Sequence, residues 1–222
     1  MISLEHVDRT QAFRYMGHHG EPDTQMLKTA DLCEQKLLAA ALPRYTYKVT
    51  PVSESADGIL CGGTSLLLTG EDIRRHLAGC GRVILLCATL SAGVDTAIRT
   101  ASAQDVLAGM MLDAMASALT EQLCDAAEEE VLSQFPEEFP TWRFSPGYGD
   151  LPLELQGDFL AAVNAQKRLG VTLSAGGLCV PTKTVTAIIG LSREKLPKGK
   201  RGCAICNLSK TCPYRAKGVH CS

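Results

Sequence analysis

No stretch of this 222-residue chain is apolar enough to cross a bilayer. The longest apolar run, about VILLCATL, falls well short of the ~20 residues that a spanning helix needs. The opening MISLEHVDRT lacks an apolar h-region, so no secretory signal is expected there. The net charge is only −2, which excludes a global field that would favour nucleic acid or an anionic membrane. There is no internal repeat and no long low-complexity tract. No Gly-x-Gly-x-x-Gly opens a helix after a strand, and no Walker A motif occurs, so neither a Rossmann-type nor a P-loop cofactor site is signalled. A soluble cytoplasmic protein is expected, with neither nucleic acid nor membrane as a partner.

Hydrophobic residues make up 45% of the chain, enough for a real core, and the length suits one large domain or a domain with an appendage. The charge is unevenly spread. From Arg193 onward there are eight Lys/Arg and one acid, whereas the preceding residues are net acidic. After Leu196 the composition turns to Lys, Gly and Cys. A boundary is placed there, between a domain over 1–196 and a basic, Cys-rich tail over 197–222.

The segment DTQMLKTADLCEQKLLAAALP reads as an amphipathic helix, with Asp23 or Thr24 to cap it and Pro43 after its end. RYTYKVTPV alternates Tyr45, Tyr47 and Val49 against Arg44, Thr46 and Lys48, the pattern of a half-buried strand. GILCGGTSLLLTG reads as a short strand pair, GEDIRRHLAGC as a short helix and GRVILLCATL as a buried strand. From about Gln104 to Phe135 the chain has no proline, and Met111, Met115, Leu119 and Leu123 recur on one helical face, which predicts the longest helix. LELQGDFLAAVNAQKRLG follows as helix, VTLS as strand and TKTVTAIIGLS as an alternating strand. This order is not a strict βαβα alternation. It predicts an α+β fold: a twisted, largely antiparallel sheet flanked by helices, one of them long, with the Cys-rich tail beyond.

RFSPGYGDLPLELQ, Arg143 to Gln156, concentrates unusual chemistry. Pro146 fixes its own φ and pushes Ser145 toward an extended conformation. Gly147 can turn the chain through φ values closed to other residues, and it leaves main chain bare for a ligand. Arg143 offers a planar fork of donors that matches a carboxylate two-on-two. Tyr148 offers a flat, electron-rich face to a cation or a second ring. Together these suit a zwitterionic ligand with a carboxylate at one end and a cationic or flat group at the other. The same residues also fit a plain Pro-Gly turn between strand and helix, with Arg143 paired to a surface acid.

RFSPGYGDLPLELQ resembles the Arg-x-x-x-Gly-Tyr loop of the S-adenosylmethionine-binding activation domain of cobalamin-dependent methionine synthase. LGVTLSAGGLCVPTKTVTAIIGL resembles the segment that follows in that family, a strand, a loop and then Pro-x-x-Ser-Val-Ser-Gly. RYMGHHGEPD, PRYTYKV and CATLSAGVD resemble small stand-alone relatives of the domain, so the likeness runs from about Gln11 to Ser192. By position it implies that Arg143 grips the ligand carboxylate and that backbone around Ser145, Pro146, Gly147 and Tyr148 lines the adenine. It also implies that Glu121 on the long helix is the family's ligand-binding glutamate, beside the small residues Ala114 and Ala118. The alternative is that Glu121 is one more solvated helix acid. The chain departs from the family after the Pro181 segment. There SREKLPKGKRGCAIC stands where the methionine synthase domain carries a tyrosine pair, and Thr182 and Thr184 stand where it often has serine.

The resemblance implies a protein that presents S-adenosylmethionine to a corrinoid held by a separate cobalamin-dependent methionine synthase or related methyltransferase, and so reactivates it by reductive methylation. Cobalamin would reside only on the partner; the chain has no Asp-x-His-x-x-Gly corrinoid-ligand pattern. No catalytic acid or base is implied. The alternative is an electron-transfer or metal-binding adaptor of a corrinoid system that does not bind S-adenosylmethionine. A third reading is a purely structural interaction module.

The tail places Cys203, Cys206, Cys212 and Cys221 in a C-x2-C-x5-C-x8-C array, with Pro213 after the third. Four thiolates can hold Zn²⁺ or an iron–sulfur cluster, and the neighbouring Lys and Arg favour the thiolate. The same residues would also compose a basic tail with free cysteines. The other six cysteines are scattered through apolar segments and read as small core residues. An iron–sulfur cluster would link the chain to an electron donor. On that reading, protein purified without oxygen is brown and contains iron, and a colourless protein that carries zinc dismisses a redox role for the tail.

Overall fold

The computed structural model describes residues 2–18 and 20–196. The chain opens with α1 (Arg9–Tyr15) and α2 (Thr24–Ala40), followed by β1 (Arg44–Glu54), β2 (Ile59–Cys61) and β3 (Leu67–Leu68). Next come α3 (Glu71–Leu77), β4 (Arg82–Thr89), α4 (Ala92–Gln104) and the long α5 (Val106–Leu132). After β5 (Phe139–Pro140) the chain forms α6 (Gln156–Ala162), α7 (Ala165–Leu169), β6 (Thr172–Leu173), β7 (Cys179–Val180) and β8 (Thr184–Ser192). Six strands form one sheet in the order β3-β2-β1-β4-β8-β5, and β6 pairs with β7 in a separate hairpin. β1 with β2, β2 with β3 and β5 with β8 pair antiparallel. The α+β architecture with one long helix is as expected from the sequence.

The chain divides into two compact units. The first holds the described residues up to Lys48, Leu85–Pro136 and Gln156–Thr186. Its core is built on α5, against which α1, α2 and α4 pack. Met111, Met115, Leu119 and Leu123 are fully buried, as their spacing predicts, but so are Leu112, Ala116 and Cys124. A helix buried around that much of its circumference needs small residues where neighbours come close. At Gly109 an added Cβ would lie 2.7 Å from the Cα of Ser102 on α4. Asp105 joins the two helices: its amide donates to Ala101 at the end of α4, and its carboxylate accepts from the amides of Leu107 and Ala108 at the start of α5. The long helix therefore begins at Val106, with α4 packed against it.

Helix α2 is capped by Asp23, one of the two expected caps, whose carboxylate accepts from Met26 N at 2.7 Å. On β1, Thr46 and Thr50 are buried, while Tyr45 and Tyr47 are half-exposed and stack at 6.4 Å. Their hydroxyls explain the arrangement, because Tyr45 bonds Glu130 and Tyr47 donates to Gln134. The segment expected as one helix before VTLS breaks at Asn164, whose φ of 54° is left-handed, a conformation that asparagine tolerates better than most residues.

The second unit holds Val49–Ile84, Glu137–Leu155 and the described residues from Ala187 on. At Gly190 an added Cβ would meet Cys80 Sγ at 2.5 Å and Thr141 Cγ2 at 3.1 Å, so the chain crosses here with no side chain between. The main chains bond at the same point, Thr141 N donating to Gly190 O at 2.9 Å.

The scattered cysteines are core residues. Cys33, Cys61, Cys87 and Cys124 are buried, Cys80 and Cys179 are half-buried, and all six are free thiols. Burial pushes the Cys80 thiol up to about 11 and the Cys87 thiol further up, so both stay neutral at pH 7. Among the described residues no helix is long and apolar enough to cross a membrane.

Gly109→Val is expected to lower stability by about 1–3 kcal/mol through overpacking against α4. Met110→Ala, exposed on the same helix, should change it by less than about 0.5 kcal/mol. The urea unfolding midpoints of the two variants decide this.

Candidate functional site

The Arg143–Tyr148 stretch lies within the second unit, on the chain leaving β5. Phe144 anchors it. This residue is buried and forms an antiparallel bridge to Ile188 on β8, Phe144 N donating at 3.0 Å and Ile188 N returning a bond at 2.7 Å. Alternation about that bridge places Arg143 and Ser145 on the face opposite Phe144. Both are half-buried, and both already take part in interactions within the protein.

The next four residues make a tight turn. Tyr148 N donates to Ser145 O at 2.9 Å, Pro146 occupies the second position, and Gly147 the third with φ of 91°. A proline followed by a positive-φ glycine is the signature of a type II turn. Pro146 is buried, whereas Gly147 and Tyr148 are exposed. An added Cβ at Gly147 would have Leu153 Cδ1, at 3.6 Å, as its nearest contact, so the main chain there is bare and approachable. The turn closes on itself: Gly147 N donates to Leu151 O at 2.8 Å and Leu151 N to Tyr148 O at 3.0 Å.

Aromatic rings back the turn in a row. Tyr148 meets Phe144 edge-on at 6.0 Å, and Phe144 lies 5.3 Å from Trp142. His76 on α3 packs against both Trp142 and Phe144, at 4.5 and 5.0 Å, and its Nε2 bonds Thr141 Oγ1 at 2.8 Å. The far side of the turn reaches the start of α3. The Asp150 carboxylate accepts from Glu71 N at 2.7 Å and from Asp72 N at 3.0 Å. The contacts of His76 and Asp150 are not signalled by local spacing, because their partners lie more than sixty residues away.

The remaining predicted residues lie elsewhere. Glu121 belongs to the first unit, on the exposed strip of α5 with Asp113 and Asp125. The alanines beside it, Ala114 and Ala118, are buried. Also in the first unit, the Pro181 segment is fixed by Asp95, which accepts from Thr182 N at 2.8 Å and from Thr182 Oγ1 at 2.7 Å. Lys183 Nζ pairs with Asp113 at 2.9 Å. Two surface hollows of the first unit, of about 410 and 650 Å³, are lined by α4 residues and by residues of α6, α7 and β6 respectively. Neither includes a predicted site residue. Cys203, Cys206, Cys212 and Cys221 lie outside the described residues. Among the described residues no group of three or more His, Cys, Asp or Glu is placed to hold a metal ion.

No protein-family model matches the sequence, and no curated protein matches it. The structure does have a counterpart. The crystal structure of the MetH reactivation domain bound to AdoHcy superimposes with a TM-score of 0.62, over 96% of this chain and 82% of that one, at 15% identity. At that identity the likeness establishes architecture: this chain has the fold of the MetH reactivation domain.

Proposed function

We propose that the chain binds S-adenosylmethionine and serves as a reactivation subunit for a separate cobalamin-dependent methionine synthase or related corrinoid methyltransferase. One observation carries the reading. A bare, positive-φ turn stands four residues after an arginine, in a chain with the fold of a domain seen with AdoHcy bound. AdoHcy is S-adenosylmethionine without the transferable methyl, so the two share the carboxylate, the amine and the adenine.

The residues of the turn fit those groups. The Arg143 guanidinium can meet a carboxylate with two parallel charge-assisted hydrogen bonds. Gly147 lets a flat ring lie against main chain that any Cβ would hold off. The amides of Gly147 and Tyr148 are committed within the turn, so the main chain meets a ligand here through carbonyl oxygens, which suits an exocyclic amine. Tyr148, half-exposed at the rim, offers its ring face to the ligand's flat or cationic part.

S-adenosylmethionine supplies an electrophilic methyl, and the partner's corrinoid receives it. The chain's own task is then to hold one end of a flexible ligand, orient the other and exclude water, which is catalysis by proximity. No side-chain acid or base is required of it. The basic residues after Arg193 would favour an acidic partner surface.

Titration calorimetry tests this, with Trp142 fluorescence as a second readout, since it is the chain's one tryptophan and sits in the aromatic row behind the turn. The full chain is expected to bind S-adenosylmethionine, and a chain ending at Leu196 should bind it equally well. Arg143→Ala should weaken binding about 10- to 100-fold, as expected for loss of a charge-assisted pair. Absence of binding by the full chain at millimolar ligand would favour the adaptor reading instead.

A further inference from the structure

We infer that Asp150 is the positioning residue of the ligand turn, holding Gly147 and Tyr148 in shape by gripping the start of α3 rather than by touching the ligand. The inference rests on the S-adenosylmethionine reading of that turn.

Helix α3 has no cap of its own. Its N-cap residue is Gly70, with φ of 124° and no side chain to bond the first-turn amides. Those amides are satisfied from Asp150, one carboxylate oxygen taking Glu71 N at 2.7 Å and the other Asp72 N at 3.0 Å. An anion at a helix start is favoured both by the unpaired amides and by the helix dipole. The two segments are also shaped for each other. An added Cβ at Gly70 would lie 2.5 Å from Asp150 Oδ1, and one at Gly149 would lie 3.0 Å from Asp72 Cγ. Each glycine makes room for the other segment's carboxylate. Asp72 in turn pairs with Arg75, which offsets the charge of a second acid beside Asp150.

Helix starts are commonly capped by a serine, threonine or aspartate of their own. With glycine there, the cap comes from the turn, and the two are mechanically joined. The turn is thus held on both sides, by the Phe144–Ile188 bridge before it and by Asp150 after it. Ser145, Pro146, Gly147 and Tyr148, between these anchors, are the main-chain residues assigned to the ligand. With the second anchor removed, Gly147 and Tyr148 regain conformations that binding must then suppress, and affinity falls.

The test uses the full chain, S-adenosylmethionine as the probe, and amide hydrogen exchange over Gly147–Leu151. Asp150→Ala should raise Kd about tenfold or more and speed exchange at Gly147 and Tyr148, with the thermal transition still cooperative. Asp150→Asn keeps one acceptor oxygen and should restore Kd to within about threefold of the parent. Ile73→Val, a core truncation in the same helix, should lower Tm and leave Kd unchanged. The inference fails if Asp150→Ala binds within about twofold of the parent, or if Ile73→Val weakens binding as much as Asp150→Ala does. If the parent binds no S-adenosylmethionine, the functional reading is what fails. Exchange then decides the inference alone: faster exchange at Gly147 and Tyr148 in Asp150→Ala supports it, and unchanged protection overturns it.

Discussion

At Gly109 a β-carbon would press into the backbone of α4, so the α4–α5 pair packs as it does because that carbon is missing. The rest of the first unit follows from this contact. With α4 this close, α5 is covered on most sides, and its inward residues form the core that α1 and α2 complete. The second unit obeys the same constraint in two places. Gly190 admits Thr141 and Cys80, and Gly70 with Gly149 admits the facing carboxylates. In each case main chain packs where a side chain would otherwise set the spacing. Such contacts tolerate little variation, because interiors are packed near the density of organic crystals.

The candidate site benefits from that rigidity. A ligand with a carboxylate, a sulfonium and an adenine has many rotatable bonds, and a receptor that must also be ordered would lose affinity twice. Here Phe144 is locked into the sheet, Pro146 is buried with fixed φ, and the aromatic row with His76 fills the space behind. Exposed in the turn are the bare main chain at Gly147 and Gly149, the ring of Tyr148 and Asp150. Under the proposed function such a surface has only to orient its ligand.

Much of this was legible in the sequence, and the misses have physical causes. Strong periodicity over many residues marked α5, and Asp23 with Pro43 bracketed α2. The turn could be read because proline and glycine constrain backbone locally. Helix α4 was not, since its inward positions include Ala97 and Ala101, which contribute little to an apolar pattern. Helix α1 spans only seven residues, too few for a periodic signal. The tyrosines of β1 alternate like buried residues, yet their hydroxyls seek Glu130 and Gln134, while Thr46 lies buried on the other face. The role of Asp150 was hidden for another reason. Its partners follow Gly70, and no rule of local spacing joins residues that far apart.

The borrowed cap on α3 also bears on how the chain acquires its structure. A seven-residue helix is marginal in isolation, since helices shorter than about 12–15 residues seldom persist in water. Its stabilising carboxylate arrives only once a segment some eighty positions later in the chain has come back to meet it. Closing so large a loop costs entropy before any contact repays it. Helix α3 therefore gains its capping carboxylate only once the chain through Asp150 is in place.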